Sequence, residues 1–409
     1  MSGYKFVLIG IILLAAVMPV AGCGEAGEFN GQVAEITRPY RFGLAEWEFE
    51  AISREVWDFL RGSDGTDNAT REVLTYFTNS AHIRNLEATM NGVQAGNYSG
   101  DLAQLQSQLD ELRSQNEARR AAVEKALEIQ VRKTLSEQGI FNPLDRYVTL
   151  RFGFPPVKIH LGEPPQILVI SPRGSIENIK EVDLRPDMTL EEAEEIETGV
   201  ENLGYSAIVE GLGGLSTYPS FVLDEANLRF TIETIVHEWM HQYLTLTPVG
   251  FRYMLDQLGI HSDYDIATIN ETVAGMVAAE IGDIVYRVYV PQETAAAAPA
   301  PDSGSVFDFN NTMREIRLAV DAYLARGEVQ EAEAFMEQQR QYLAQNGYYI
   351  RKLNQAYFAF HGTYADSPTS VSPIGEDLRE LRAQSGSLKE FLDNVTGISS
   401  PDELAEKVD

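Results

Sequence analysis

The sequence predicts an α+β fold that is predominantly helical, and three observations carry that expectation. Apolar residues recur at helical spacing along the N-terminal part of the chain and again after position 307. Runs rich in β-branched residues, punctuated by Pro and Gly, are confined to the stretch between Tyr147 and Leu223. At 409 residues with 44% hydrophobic content, the chain is also long enough for two or three domains and a substantial core. The expected division is a targeting segment at 1–22, a tether at 23–45 and a helical region at 46–143. A core at 144–290 follows, where a small mixed β-sheet meets helices, then a flexible loop at 291–306 and a C-terminal helical subdomain at 307–409.

The first element is Lys5 as a short basic region, Phe6 to Val20 as an apolar run, and Val20-Ala21-Gly22-Cys23 as a small-residue cleavage site. Those four residues resemble a bacterial lipobox. The resemblance covers only the N-terminus; it implies a signal peptide ending at Gly22 and an acyl chain on Cys23. Cys23 is the only cysteine, so it has no internal disulfide partner. The apolar run is shorter than the roughly 20 residues a membrane span needs, which leaves an uncleaved anchor as the weaker alternative. Either way the bulk of the chain is expected outside the cytoplasm, membrane-anchored through Cys23.

Charge narrows the partners. With 32 basic and 61 acidic residues the chain carries −29, a surface that avoids nucleic acid and repels anionic headgroups. Membrane contact is therefore expected from the lipid alone. No phosphate-cradling glycine loop and no basic patch with interleaved aromatics is present in the sequence.

Trp47, Phe49, Ile52, Val56, Trp57 and Leu60 open a helical pattern from Leu44 to about Met90, and Asn91 to Gly100 reads as a loop. Leu102, Leu105, Leu109, Leu112, Val123, Leu127, Val131 and Leu135 step by three and four along a long packing helix, closed by Gly139 and Pro143. Tyr147–Phe152, Gln166–Ile170 and Tyr205–Val209 are expected strands, with an acidic helix from Thr189 to about Leu203 between the last two. Gly211 to Pro219 turns ahead of a helix that Asp224 is placed to cap, and Pro248 with Gly250 is expected to end that helix. Further helices are expected at about 309–325 and 328–346.

The chemistry lies in Ile235-Val236-His237-Glu238-Trp239-Met240-His241-Gln242-Tyr243. Residues four apart share a helix face, so His237 and His241 can offer two imidazoles to one metal ion. Glu238, one position on, reaches an attacking water without itself binding the metal. The pattern is H-E-x-x-H, and in this sequence it resembles the zinc peptidases. Further on, Thr268-Ile269-Asn270-Glu271-Thr272-Val273-Ala274-Gly275 resembles the second motif of the gluzincins, the thermolysin-like and aminopeptidase-like branch. That resemblance covers about a dozen residues and implies a zincin-like catalytic domain that hydrolyses peptides or proteins. It implies one zinc per chain held by His237, His241 and Glu271, with Glu238 as general base. The match departs from the thermolysin-like pattern at Gly275, where an aspartate is expected, and in the long connector from His241 to Glu271.

Several readings stay open on sequence alone. Glu271 is also the last member of a Thr268-x-x-Glu271 capping box. Rival third ligands are Asp263, Asp265, His261 and Glu280, the Gly259–Tyr264 group resembling the aspartate-liganded branch of the zincins. In gluzincins a Tyr or His from a later segment steadies the oxyanion; Asn354, His361 and Tyr364 are the candidates, against plain packing roles. Substrate backbone is expected along an edge strand at Gly213–Pro219 or Tyr205–Val209. The competing class is a non-catalytic surface lipoprotein, a binding scaffold whose histidines hold a structural metal or none.

Overall fold

The structure is a computed structural model that describes residues 25–44, 69–97, 99–145, 153–257, 263–291, 307–365 and 367–408. The Cys23 signal segment, the Trp47–Leu60 pattern, the Tyr147–Phe152 run, His261 and nearly all of the 291–306 loop lie outside these residues. The chain divides into two compact units, Met1–Tyr40 and Arg41–Asp409. In the first, the expected tether is instead helix α1 (Glu25–Thr37) followed by a 3₁₀ turn at Arg38–Tyr40. Phe29, Val33 and Ile36 stand at helical spacing there, a stripe that the Gly- and Glu-rich composition obscures.

The second unit is α+β and predominantly helical, as expected. Helices α2 (Ala69–Gln94) and α3 (Leu102–Glu137) form an antiparallel hairpin. Asp101 caps α3 by accepting from the amides of Ala103 and Gln104. Register in the hairpin is set by a buried amide network. Asn79 Nδ2 donates to Asn116 Oδ1 at 3.0 Å, and Asn116 Nδ2 donates to the Tyr76 carbonyl and Ser80 Oγ, both at 3.2 Å.

Two three-stranded sheets replace the single mixed sheet expected. In one, β1 (Ile159–Gly162) runs parallel to β6 (Ser220–Leu223), and the short β5 (Gly214–Leu215) is antiparallel to β6 at the far edge. In the other, β2 (Gln166–Pro172) lies between β3 (Lys180–Leu184) and β4 (Tyr205–Gly211), all antiparallel. The outer edge of β1 is not left bare. Glu124 and Glu128, one turn apart on α3, accept from the amides of Leu161 (2.8 Å) and Ile159 (3.2 Å). Side-chain carboxylates thus stand where a neighbouring strand would.

Thr189 and Glu192 close a capping box on α4 (Leu190–Glu201). The core is centred on α5 (Leu228–Leu244) and α7 (Tyr264–Tyr289). Ile232, Ile235 and Val236 of α5 cluster with Ile266, Val273 and Val277 of α7 and with Val123, Leu127 and Val131 of α3. Helix α6 (Pro248–Gln257) connects α5 to the segment before α7. After α8 (Phe309–Ala325) and α9 (Val329–Gln345), the short α10 (Gln355–His361) sets Ala356 against Ile167, Val169 and Ile208 of the antiparallel sheet. Helices α11 (Ile374–Gln384), α12 (Leu388–Val395) and α13 (Pro401–Val408) add Leu378, Phe391 and Leu404 to the main core.

Three local expectations are corrected. Asn227, not Asp224, caps α5, its Oδ1 accepting from the Phe230 amide at 3.0 Å, while Asp224 pairs with Arg120 at 3.2 Å. Pro248 begins α6 rather than ending α5, because a proline lacks only an amide that the first helical turn leaves unused. Helix α7 starts one turn earlier than Thr268, capped by Asp263 on the Ile266 amide at 3.1 Å. Glu271 therefore lies inside the helix and is no capping-box member; Thr268 Oγ1 bonds the Tyr264 carbonyl instead.

Candidate metal centre

Helix α5 is amphipathic only in a limited sense: most of its residues are buried, and among its polar ones His237, Glu238 and His241 face one place. His237 and His241, one turn apart, bring their Nε2 atoms to 3.0 Å of each other. Glu271, from α7, sets Oε2 at 3.2 Å from His237 Nε2 and Oε1 at 3.5 Å from His241 Nε2. One ligand atom from each residue lies within 4.8 Å of the others. Nitrogen and oxygen ligands about 2.0–2.1 Å from a tetrahedral ion stand about 3.4 Å apart, so these spacings suit one small cation.

The donor chemistry fits a metal as well. His241 Nδ1–H donates to Asn270 Oδ1 at 2.6 Å, a tautomer assigned from that bond, which leaves the Nε2 lone pair aimed at His237. Oε2 of Glu271 is buried and makes no hydrogen bond, although His237 Nε2 is near. Three electron-rich atoms converging in a buried place repel one another unless a cation sits among them. In the bare chain a proton takes that part: burial pulls the His241 imidazolium down, but the Glu271 carboxylate outweighs it and holds the group at about 9. Burial likewise opposes ionisation of Glu271, yet His241 and His237 keep its carboxyl well below the usual range.

Glu238 is 7% exposed and faces the same place. Burial pushes its carboxyl up, against the pull of His237 and His241. Strand β5 passes directly over it. A Cβ on Gly214 would lie 2.6 Å from Glu238 Oε1 and 2.5 Å from Thr234 Cγ2, so only glycine fits there. Ser216 Oγ donates to the Glu238 carbonyl at 2.9 Å, fastening the chain after β5 to α5.

Of the late-segment candidates, the structure brings one to the centre. The Tyr364 ring lies 6.1 Å from that of His237, and the Glu271 carboxylate, then burial and Glu238, raise its phenol well above the ordinary value. The following amide, of Ala365, donates to Thr272 Oγ1 at 3.2 Å, which ties the segment to the residue after Glu271. His361 stands instead against Tyr357, ring to ring at 4.3 Å, where burial lowers it to about 4. Asn354 is a structural residue: its Oδ1 caps α10 through the Tyr357 amide at 2.9 Å and its Nδ2 donates to the Ala207 carbonyl at 2.9 Å. Among the rival ligands, Asp263 is the α7 cap and pairs with Arg252, Asp265 is exposed, and Glu280 is held by Arg382. Within the described residues, His237, His241 and Glu271 form the one such cluster.

Tyr253 of α6 was not singled out in the sequence. Its hydroxyl donates to Glu271 Oε1 at 2.6 Å and its ring stacks on His241, centroids 5.5 Å apart. The signal was weak because Pro248 and Gly250 read as a helix end, which hid the helix that presents it.

Comparison of the chain with protein-family models, with curated proteins and with solved structures returned no match. The functional reading therefore rests on the geometry and on the motif residues themselves.

Proposed function

We propose that the chain is a zinc-dependent peptidase of the gluzincin type, acting outside the cytoplasm and anchored to a membrane through acylated Cys23. The observation that carries the reading is a buried Glu238 beside the His237–His241–Glu271 cluster, since a purely structural site needs no carboxylate there. Those three residues would hold a zinc ion, which when bound would supply Lewis acidity toward water and a peptide carbonyl. Glu238, with its raised pKa, accepts the proton of the attacking water and passes it to the leaving amine. The Tyr364 hydroxyl, whose ring lies beside that of His237, is the donor for the developing oxyanion. Asn270 and Tyr253 hold His241 and Glu271 in position through the bonds described above.

The test is metal content and turnover together. By elemental mass spectrometry, the wild type is expected to hold one zinc per chain and Glu271→Ala to lose it. Glu238→Gln is expected to keep zinc and lose at least a thousandfold in kcat on a peptide library. A wild type that takes up no zinc after reconstitution, or a zinc-loaded Glu238→Gln with wild-type turnover, overturns the proposal.

A further inference from the structure

Tyr364 lies in the stretch between α10 and α11, and one cation on α8 holds that stretch on both sides of it. Arg317 is buried, its guanidinium 5.9 Å from the centre of the Phe358 ring. Beyond the tyrosine, Arg317 Nη1 donates to the Thr369 carbonyl at 3.3 Å. Before the tyrosine stands Gly362, where a Cβ would lie 2.9 Å from the same Nη1 and 2.9 Å from the Tyr264 hydroxyl oxygen. Only glycine lets the chain leave α10 that close to the guanidinium. Tyr264 is the first residue of α7, the helix that carries Glu271, and its hydroxyl hydrogen-bonds Arg317.

Further bonds lead from Thr369 back to Tyr364 itself. The Thr369 amide donates to Ser367 Oγ at 3.2 Å, the two hydroxyls are 2.7 Å apart, and the Ser367 amide donates to the Tyr364 carbonyl at 2.8 Å. The guanidinium thus fixes a turn whose other end is the tyrosine. Packing alone does not call for an arginine here. Met313 and Ile316, its neighbours on α8, meet the Phe358 cluster with apolar side chains, and a buried cation costs more than they do. What arginine adds is a planar fork. Nε donates to Asp321 Oδ2 at 2.9 Å while Nη1 reaches the Thr369 carbonyl, two directions that one ammonium cannot serve as well.

We infer that Arg317 is a positioning residue for Tyr364: it grips the chain at Gly362 and Thr369, ties it to Tyr264 of α7, and so fixes where the phenol stands without touching substrate. That the placed phenol serves an oxyanion rests on the peptidase reading; that Arg317 places it does not, and the test separates the two.

Full-length wild type, Arg317→Met and Arg317→Lys are compared, each with and without Tyr364→Phe. Methionine keeps an apolar stem against Phe358 and removes every donor. Lysine keeps the charge beside Asp321 and loses the fork, so it decides the matter where the methionine variant does not fold. In hydrogen exchange of the metal-free proteins, both variants are expected to exchange the amides of residues 362–370 at least about tenfold faster than wild type, with α5 and α7 unchanged. In the zinc-loaded proteins, kcat on the peptide library is expected to fall about 10–100-fold, with KM within about twofold and zinc content intact. With Tyr364→Phe present, the same substitutions are expected to cost less than about twofold, because the hydroxyl they position is already gone. Unchanged exchange over 362–370 overturns the inference, as does exchange that rises equally in α5 and α7, the mark of a general loss of stability. Equal losses of kcat with and without Tyr364→Phe overturn it too, since a purely structural role is blind to the hydroxyl. Absence of cleavage by zinc-loaded wild type counts against the peptidase reading alone and leaves hydrogen exchange to decide the positioning.

Discussion

Tyr253 shows how much of a candidate metal centre is held by residues outside the proposed ligand set. Its hydroxyl occupies one oxygen of Glu271 at 2.6 Å, while the other oxygen makes no hydrogen bond. The phenol therefore decides which way the carboxylate turns, and its ring limits the tilt of His241. Tyr253→Phe keeps the stacking and removes only the hydroxyl. It is expected to weaken zinc affinity about 10–100-fold, measured by competition against a chromogenic chelator. An unchanged affinity would show that the packing around Glu271 orients it unaided. Glu124 makes a second residue-scale case, one where charge rather than hydrogen bonding is the issue. Burial pushes its carboxyl up to about 7, partly offset by the Leu161 amide. The folded state therefore binds more protons than the unfolded state between the unfolded value near 4.5 and 7. Its contribution is most favourable below that window and is lost as pH rises through it. Glu124→Gln keeps an acceptor for Leu161 and discards the charge. Thermal unfolding is expected to show the variant about 1–3 kcal/mol more stable at pH 8, with the difference gone by about pH 4.

Strand β5, at the scale of elements, has two residues and an influence out of proportion to its length. Gly214 allows it to lie directly on Glu238, and any side chain at that position collides with Thr234 and with the carboxylate. Thr234 is β-branched and on a helix, so it cannot turn aside freely. Gly214→Ala is expected to displace β5, costing about 1–3 kcal/mol in stability. Peptide turnover should fall by more than tenfold with zinc content intact, because the strand and not the ligand set moves. Zinc loss in parallel with activity would instead mean that the strand supports the ligands. The carboxylates on the outer edge of β1 belong to the same scale: an i, i+4 pair on a helix takes the place of a strand, using the amides at alternate residues 159 and 161.

At the scale of the whole molecule, what could be read ahead of the structure was whatever is periodic or local. The long leucine-stepped helix was expected from Leu102 to Leu135 and spans Leu102–Glu137. The helices after 307 and the acidic helix that opens at Thr189 also fall where the sequence put them. The His237–His241–Glu271 cluster was legible because helical geometry fixes His237 to His241, and Glu271 carries its own short motif. The strands β1, β3 and β6 were missed because each has at most five residues and too little alternation to register. Tyr253 was invisible for a different reason: its relation to the site arises from helix packing. Pro248 misled because a proline can open a helix as readily as close one.

The bond from the Ala365 amide to Thr272 Oγ1 joins two stretches of very different standing along the chain. His237, His241 and Glu271 are near neighbours in sequence, so the entropy of bringing them together is small. Tyr364 arrives only after α8, α9 and α10, and the Ala365 amide helps hold its segment beside α7. Deleting everything beyond residue 307 would thus leave a chain that still carries the His237–His241–Glu271 cluster and lacks the tyrosine. Under the proposed function, sequestering an ion and transforming a substrate are assignments given to separate lengths of polypeptide.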